Sequence, residues 1–446
     1  MNQQHFPRDA ASGTGTRFIV PEGVSLAGEP RSFRWIRPLV GFTLLLLLGV
    51  QETVSLSLGT AAPHDYLRPT MQAPTALSAF ALTCILVKPP DRRRILLLGL
   101  AIEGTRIALQ LLTGRPLVNL VLFPGFGLGV AAWCVLAWRA AISRGAERQR
   151  TIDILAAALA LPVGNLLLWP SVFSMIPFLP HLYDNALLRL DATLGVQPAA
   201  LVGGLLREVP PLFALHLFVY VQLPLALCIV TALEAKSGRR LGLGLLPASL
   251  AAAAIGYFLY IAMPAVGPRP YFGDDFAAIM QRLDVLPSGP VTNTTHPRNV
   301  MPSLHVTWAL LIYLTARQQG RRVEIAAIVF AIATALATLG LGEHYFIDLV
   351  VAVPLVLLVR ALCAFDVPLA RVERWGAIAL GAASLACWAL IVRSGNDALA
   401  FPELVPLLMG GSVLACFAAE RALLRSERSL PAPALWPIPT AVGKPR

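Results

Sequence analysis

Apolar positions in this chain fall in continuous blocks of roughly 18 to 24 residues, each long enough to cross a hydrocarbon core of about 30 Å as a helix. Twelve such blocks can be read, at 38–59, 72–89, 95–113, 117–138, 153–176, 210–233, 241–264, 303–319, 323–341, 345–364, 376–393 and 399–420. The pattern predicts an all-α, polytopic helical membrane protein with about 12 transmembrane helices. The apolar run Leu44 to Val50 continues through Gln51 and Glu52 with no small-residue cleavage site, which reads as a retained span rather than a signal peptide.

Composition agrees. A mean hydropathy of +0.68, with 56% hydrophobic and 14% charged residues, excludes an ordinary soluble domain. The net charge of +11 would suit a nucleic-acid partner, but its distribution argues against one. Clusters of basic residues fall at alternate loops: Arg31, Arg34 and Arg37; Lys88 and Arg92 to Arg94; Arg139 to Arg150; Lys236, Arg239 and Arg240; Arg317, Arg321 and Arg322; Arg371 and Arg374; Arg421, Arg425 and Arg428. In the intervening loops Arg68, Arg115, Arg189, Arg269 and Arg298 come singly. This positive-inside alternation puts both termini in the cytoplasm. Usage of 33 arginines against 3 lysines points to a GC-rich bacterial gene and an inner-membrane address. The six cysteines stand singly within apolar spans, so neither a disulfide framework nor a zinc site is indicated.

Four regions follow: a polar, disordered cytoplasmic N-terminus over 1–37, a four-helix bundle over 38–150, a six-helix core over 151–366, and two C-terminal spans with a basic cytoplasmic tail over 367–446. No internal repeat stands out, which weighs against a transporter built on inverted halves. In the loop 181–207, Leu187, Leu188, Leu190 and Leu194 recur at helical spacing, interspersed with the charges Asp184 and Asp191, the pattern of a helix lying on the outer leaflet. The loop 265–300 is long and polar, and such loops in compact membrane proteins are usually functional. Glu103 and Arg106, three apart within a span, read as a structural ion pair that Glu52 could join. Tyr345 and Phe346 read as interface aromatics, and His64, His181 and His216 have no matching partners.

Two short motifs carry chemistry: Met301-Pro302-Ser303-Leu304-His305 and Gly342-Glu343-His344-Tyr345-Phe346-Ile347-Asp348. Each sits where an apolar block meets a polar loop, and the alternation places both on the extracytoplasmic face. Pro302 is expected to open one helix, leaving Ser303, Leu304 and His305 in a first turn whose free N–H groups favour an anion. His344 is expected to open another, with Asp348 on the same face four residues later. Asp348 could then hold one ring nitrogen of His344 and leave the other as a nucleophile for phosphorus. A single interfacial histidine is ordinarily just a hydrogen-bonded residue; two of them with an intramembrane carboxylate on one face are not.

Pro-Ser-x-His followed by His-x-x-x-Asp resembles the type 2 phosphatidic acid phosphatase (PAP2) superfamily. The wording of both motifs, with Tyr260, Pro264, Gly267, Pro268 and Arg269 before them, is similar to its inositol phosphorylceramide synthase-like branch. The resemblance covers the six-helix core. It implies that His344 forms a phosphohistidine, Asp348 orients it, and His305 is the acid–base residue. Arg298, Arg269 and Ser303 would bind the substrate phosphate, without metal or soluble cofactor. The chain departs from the superfamily at Ala262 and Thr338, where a lysine and an arginine are expected, so neutralising the phosphate falls to Arg298 and Arg269. The expected activity is transfer of a phospho-headgroup from a lipid phosphate or phospholipid to a lipid acceptor. Hydrolysis, with water as acceptor, is the alternative, and a lipid transporter or flippase is the alternative of another class.

Overall fold

The computed structural model describes residues 36–60, 62–67, 69–114, 125–238, 241, 244–282, 296–365, 367–368, 370–394 and 401–429. Among them every regular element is helical. The chain divides into two compact units, Met1–Gly49 and Val50–Arg446. The disordered stretch expected at 1–37 lies outside the described residues except for Ile36 and Arg37, which begin a helix, and so does the tail beyond Ser429.

The helices in order are α1 (Ile36–Leu58), α2 (Pro69–Leu86), α3 (Pro89–Leu112), α4 (Phe126–Ile142) and α5 (Gly145–Ser174). After these come α6 (Asp184–Ala192), α7 (Pro198–Glu208), α8 (Pro210–Val221), α9 (Leu223–Lys236) and α10 (Leu245–Ala262). The short α11 (Pro268–Phe272) and α12 (Phe276–Met280) lead to α13 (Leu304–Ala316), α14 (Arg321–Gly340), α15 (Phe346–Leu362), α16 (Val372–Ser394) and α17 (Leu404–Arg428). Proline starts many of them, at α2, α3, α7, α8 and α11, where its missing N–H costs nothing and its φ is already helical.

Among the described residues, six stretches are long and apolar enough to cross a bilayer: α3, Gly145–Phe178, α10, α14, α16 and α17. A seventh arises if α7 and α8, bent by 120°, count as one span. The expected count of about 12 is not confirmed among the described residues. The block 210–233 is broken at Gln222, with α8 of 12 residues on one side and α9 on the other, and α13 has only 13 residues. A hydropathy window counts apolar residues whether or not one helix carries them through. The outward faces are nonetheless those of a membrane protein, with Leu100, Leu111, Val329, Leu390 and Leu414 all exposed.

Polar pairs tie the helices together. Arg106 Nε donates to Glu103 at 2.7 Å, and the other Glu103 oxygen accepts from the Gly127 N–H at 2.8 Å. Glu52 does not join them; it bonds His64 instead. At the end of the bundle remote from His305, Arg317 on α13 meets Glu420 at 2.6 Å, and Arg360 on α15 meets Glu427 at 2.8 Å. The last helix, α17, is thus clamped to the segments that carry the motifs.

The loop 181–207 differs most from its expectation. α6 does not lie on a leaflet: Asp184, Leu187, Leu188, Leu190 and Asp191 are all buried. The leucines join the main core, and the two carboxylates face groups that need acceptors.

Candidate active site

The site is assembled from three loops. Gly267-Pro268-Arg269 lies directly on Gly342-Glu343-His344: Arg269 N donates to the Gly342 carbonyl at 2.8 Å. Gly267 has φ +90°, and a Cβ there would stand 2.5 Å from the Glu343 carbonyl oxygen. Gly342 has φ +71°, and its Cβ would strike Arg269 and Phe276. Only glycine meets both demands at these positions. The third loop is joined to α15 through the Ser303 N–H, which donates to the Asp348 carbonyl at 3.2 Å.

Neither histidine motif opens its helix as the sequence suggests. α13 begins at Leu304 with Ser303 as its cap, so Pro302 precedes the helix instead of starting it. Ser303 is fully buried, and its hydroxyl accepts from Val306 N at 3.4 Å. His344 likewise stands before α15, whose cap is Tyr345. The i, i+4 argument therefore does not apply, yet His344 Nδ1 still comes within 3.5 Å of Asp348 Oδ2. That is ion-pair range rather than a hydrogen bond, and neither His344 Nδ1 nor Asp348 Oδ1 has a hydrogen-bond partner. Asp348 Oδ2 is held by the Tyr345 N–H at 2.7 Å. Catalytic contacts often tighten only when substrate binds.

His305 lies flat on Tyr220, with ring centroids 3.8 Å apart and planes 15° apart, and has Trp308 at its edge. Its centroid is 6.3 Å from that of His344. A near-attack contact of about 3 to 3.5 Å on one side and a hydrogen bond of about 2.6 to 3.2 Å on the other would fit a phosphorus centre between the rings. Burial drives the His344 pKa down to about 4, against Glu343 and a backbone hydrogen bond to Val300, which raise it. The imidazole is therefore neutral and able to act as a nucleophile over the physiological range.

Two residues of this assembly were noted in the sequence but assigned to a surface helix. Asp184 accepts from Val266 N at 3.1 Å, from Gly267 N at 2.9 Å and from the Tyr345 hydroxyl at 3.1 Å. Asp191 accepts from Phe346 N at 2.7 Å and Ile347 N at 2.9 Å. One buried helix thus grips both the 267 loop and the 344 loop. Burial pushes both carboxyls up, to about 6 for Asp184 and about 8 for Asp191, although their N–H donors pull the other way. Their spacing of seven, two helical turns, was the available signal. Tyr220 gave none, since one tyrosine in an apolar block looks like any other. At the start of α15, Asp348 and Asp191 take the N–H groups of Tyr345, Phe346 and Ile347.

The two arginines are engaged elsewhere. Arg269 Nε donates to Asp274 at 2.9 Å at an exposed position, and its charge also acts on Glu343. Arg298 is fully buried; its Nε donates to the Leu179 carbonyl at 3.1 Å and its Nη1 to the His296 carbonyl. Arg298→Ala is accordingly expected to destabilise the protein by about 0.5 to 1.5 kcal/mol per hydrogen bond lost, because the Leu179 and His296 carbonyls lose their donor. Thermal unfolding in detergent measures this. An unchanged midpoint with lost turnover would return Arg298 to phosphate binding alone. At the two positions where the superfamily's cations are missing, Thr338 is buried with its carbonyl accepting from Glu343 N and His344 N. The carbonyl of Ala262 accepts from Arg393 of α16 at 3.1 Å, so a cation from outside the core does stand beside that position.

No curated protein and no solved structure matches this chain. Residues 185–362, which run from α6 to the end of α15 and contain both histidines, Asp348, Ser303 and both arginines, match the family model of the PAP2 superfamily, and the match supports a membrane phosphatase or phosphotransferase.

Proposed function

We propose that the protein is a membrane enzyme that transfers a phospho-headgroup between lipids, in the manner of an inositol phosphorylceramide synthase, through a phosphohistidine. The observation that carries this reading is the pair of imidazoles 6.3 Å apart, with His305 on the wall of a mainly apolar cavity of about 370 Å³. His344 attacks phosphorus as the bond to the lipid oxygen breaks, and that oxygen leaves with the electron pair and takes a proton from His305. His305, now neutral, accepts the proton of an incoming hydroxyl, whose oxygen attacks phosphorus. The P–N bond then breaks and His344 is regenerated. Asp348, next to His344 Nδ1, holds the ring as it takes on positive charge. The apolar wall beside His305 favours a lipid alcohol as acceptor; water in its place would give simple hydrolysis. The alternation of basic loops supports an extracytoplasmic site with cytoplasmic termini, in a bacterial inner membrane. The transporter reading is weakened, because Glu103 and Arg106 neutralise one another.

The test is turnover in proteoliposomes carrying a lipid with labelled phosphate and a lipid alcohol. Label in a new phospholipid means transfer, label released as phosphate means hydrolysis, and label in neither sinks the proposal. In the same assay, kcat/KM should fall on the acid side near pH 4, where His344 protonates, instead of near the ordinary histidine value of about 6.5. An acid limb at pH 6 to 7 would mean that His344 is not the group titrating.

A further inference from the structure

The cavity beside His305 is built from more than the segment that matches the family. Tyr220, Tyr260, Asn299 and Glu343 line it together with His305, and Thr75, Asn165 and Ser249 add polar groups to a wall that is otherwise apolar. The wall also includes Leu161, Gly164, Leu168, Trp169 and Val172 of α5 and Pro74 of α2. All six precede residue 185, where the match begins. At about 370 Å³ the space falls within the usual range of ligand pockets, roughly 300 to 1,000 Å³. A mainly apolar cavity with the reacting histidine on its wall is complementary to an amphiphile with a phosphoryl head and an alkyl tail.

Gly164 is the position where this space is most easily changed. It lies inside α5 on the cavity wall, and a Cβ there would sit 3.5 Å from Leu250 Cδ2, an ordinary contact. A methyl group is therefore accepted, and a longer side chain adds bulk at this point of the wall. Burying apolar chain against these side chains is favourable in proportion to its area, so the depth left open fixes how much chain contributes to binding.

We propose that an alkyl chain of the lipid substrate lies in this cavity, and that α5, with Gly164 as the selecting position, sets the chain length the enzyme accepts. This rests on the lipid-phosphate reading above. Gly164 does not touch the reacting atoms; it acts on specificity through the tail.

Two measurements test the idea. In the first, wild type, Gly164→Ala and Gly164→Leu are compared on hexyl and hexadecyl phosphate esters in detergent micelles. Gly164→Ala, which adds a single carbon, should lose less on the hexadecyl ester than Gly164→Leu. Gly164→Leu should keep hexyl turnover within about threefold and lose at least tenfold on the hexadecyl ester, with the loss mainly in KM. Equal losses on both esters, or none on either, would overturn the assignment. In the second, wild type is photolabelled with a hexadecyl phosphonate bearing a diazirine at the chain end, and the labelled peptides are mapped. Label within 161–172 that short-chain phosphonate does not compete away, but excess hexadecyl phosphonate does, is the expected result. Label confined to outward-facing leucines would overturn it. Labelling of α5 without turnover of any lipid phosphate would leave the chain site standing and sink the reaction. Turnover without that labelling and without a chain-length shift would do the opposite.

Discussion

Replacing His344 with alanine is expected to abolish turnover of every phosphate ester offered, whereas replacing His305 should cost activity in proportion to how poor the leaving group is. A nucleophile is needed for all substrates, but a general acid only where the departing oxygen cannot carry its charge. A lipid alkoxide cannot; p-nitrophenolate, whose conjugate acid ionises near neutrality, can. His305→Ala should therefore lose about 10²-fold more on the lipid ester than on the aryl ester, the usual share of general acid catalysis. The arrangement supports this division. His344 is almost fully buried, with its pKa lowered to about 4 and Asp348 3.5 Å away, which suits a neutral nucleophile. His305 is less buried, lines the cavity and is held flat against Tyr220, where a leaving oxygen would sit. Labelled phosphate should be trapped on the wild-type chain under an acid-free quench and never on His344→Ala. Equal losses on both esters in His305→Ala, with residual turnover in His344→Ala, would mean the two roles are exchanged or the mechanism is not covalent.

The sequence made the histidines and their carboxylate legible because ionisable groups are costly at the edge of an apolar block, and three close together need a common reason. It also made legible the all-helical architecture and the pairing of Glu103 with Arg106. Continuity of the helices was not legible. Hydropathy sees Pro210 to Leu233 as one block, while the backbone breaks at Gln222 and bends sharply before Pro210. Helix starts were misplaced by one or two residues for a related reason: Ser303 and Tyr345 act as caps, and capping depends on which N–H groups find partners. The arginines show the limit most plainly. A single Arg298 seven residues before His305 reads as a phosphate ligand, and only the fold reveals that its Nε and Nη1 also donate to the carbonyls of Leu179 and His296. Likewise the apolar side of α6 looked like a leaflet surface, because a lipid tail and a protein core ask for the same leucines.

Asp191→Ala should be the most damaging change outside the histidine motifs. Its carboxylate is the partner of two adjacent N–H groups at the start of α15, Phe346 at 2.7 Å and Ile347 at 2.9 Å, and it is fully buried. Removing it strands both donors, and each stranded group costs about 1 to 3 kcal/mol. The first turn of α15 should then shift, and His344, two residues ahead of Phe346, should shift with it. A displacement of about 1 Å at a reacting group costs on the order of 10²-fold in rate. The loss should appear mainly in kcat, because the apolar wall on α2 and α5 has not moved. It should also be the same factor for lipid and aryl esters, unlike His305→Ala, because a misplaced nucleophile is misplaced for both. Asp191→Asn, which keeps an acceptor oxygen but places an NH₂ against one of the donors, should recover part of the stability and part of kcat. If Asp191→Ala unfolds less readily than these stranded donors require and turns over lipid within about threefold of wild type, the grip of α6 on the nucleophile loop is not what positions His344.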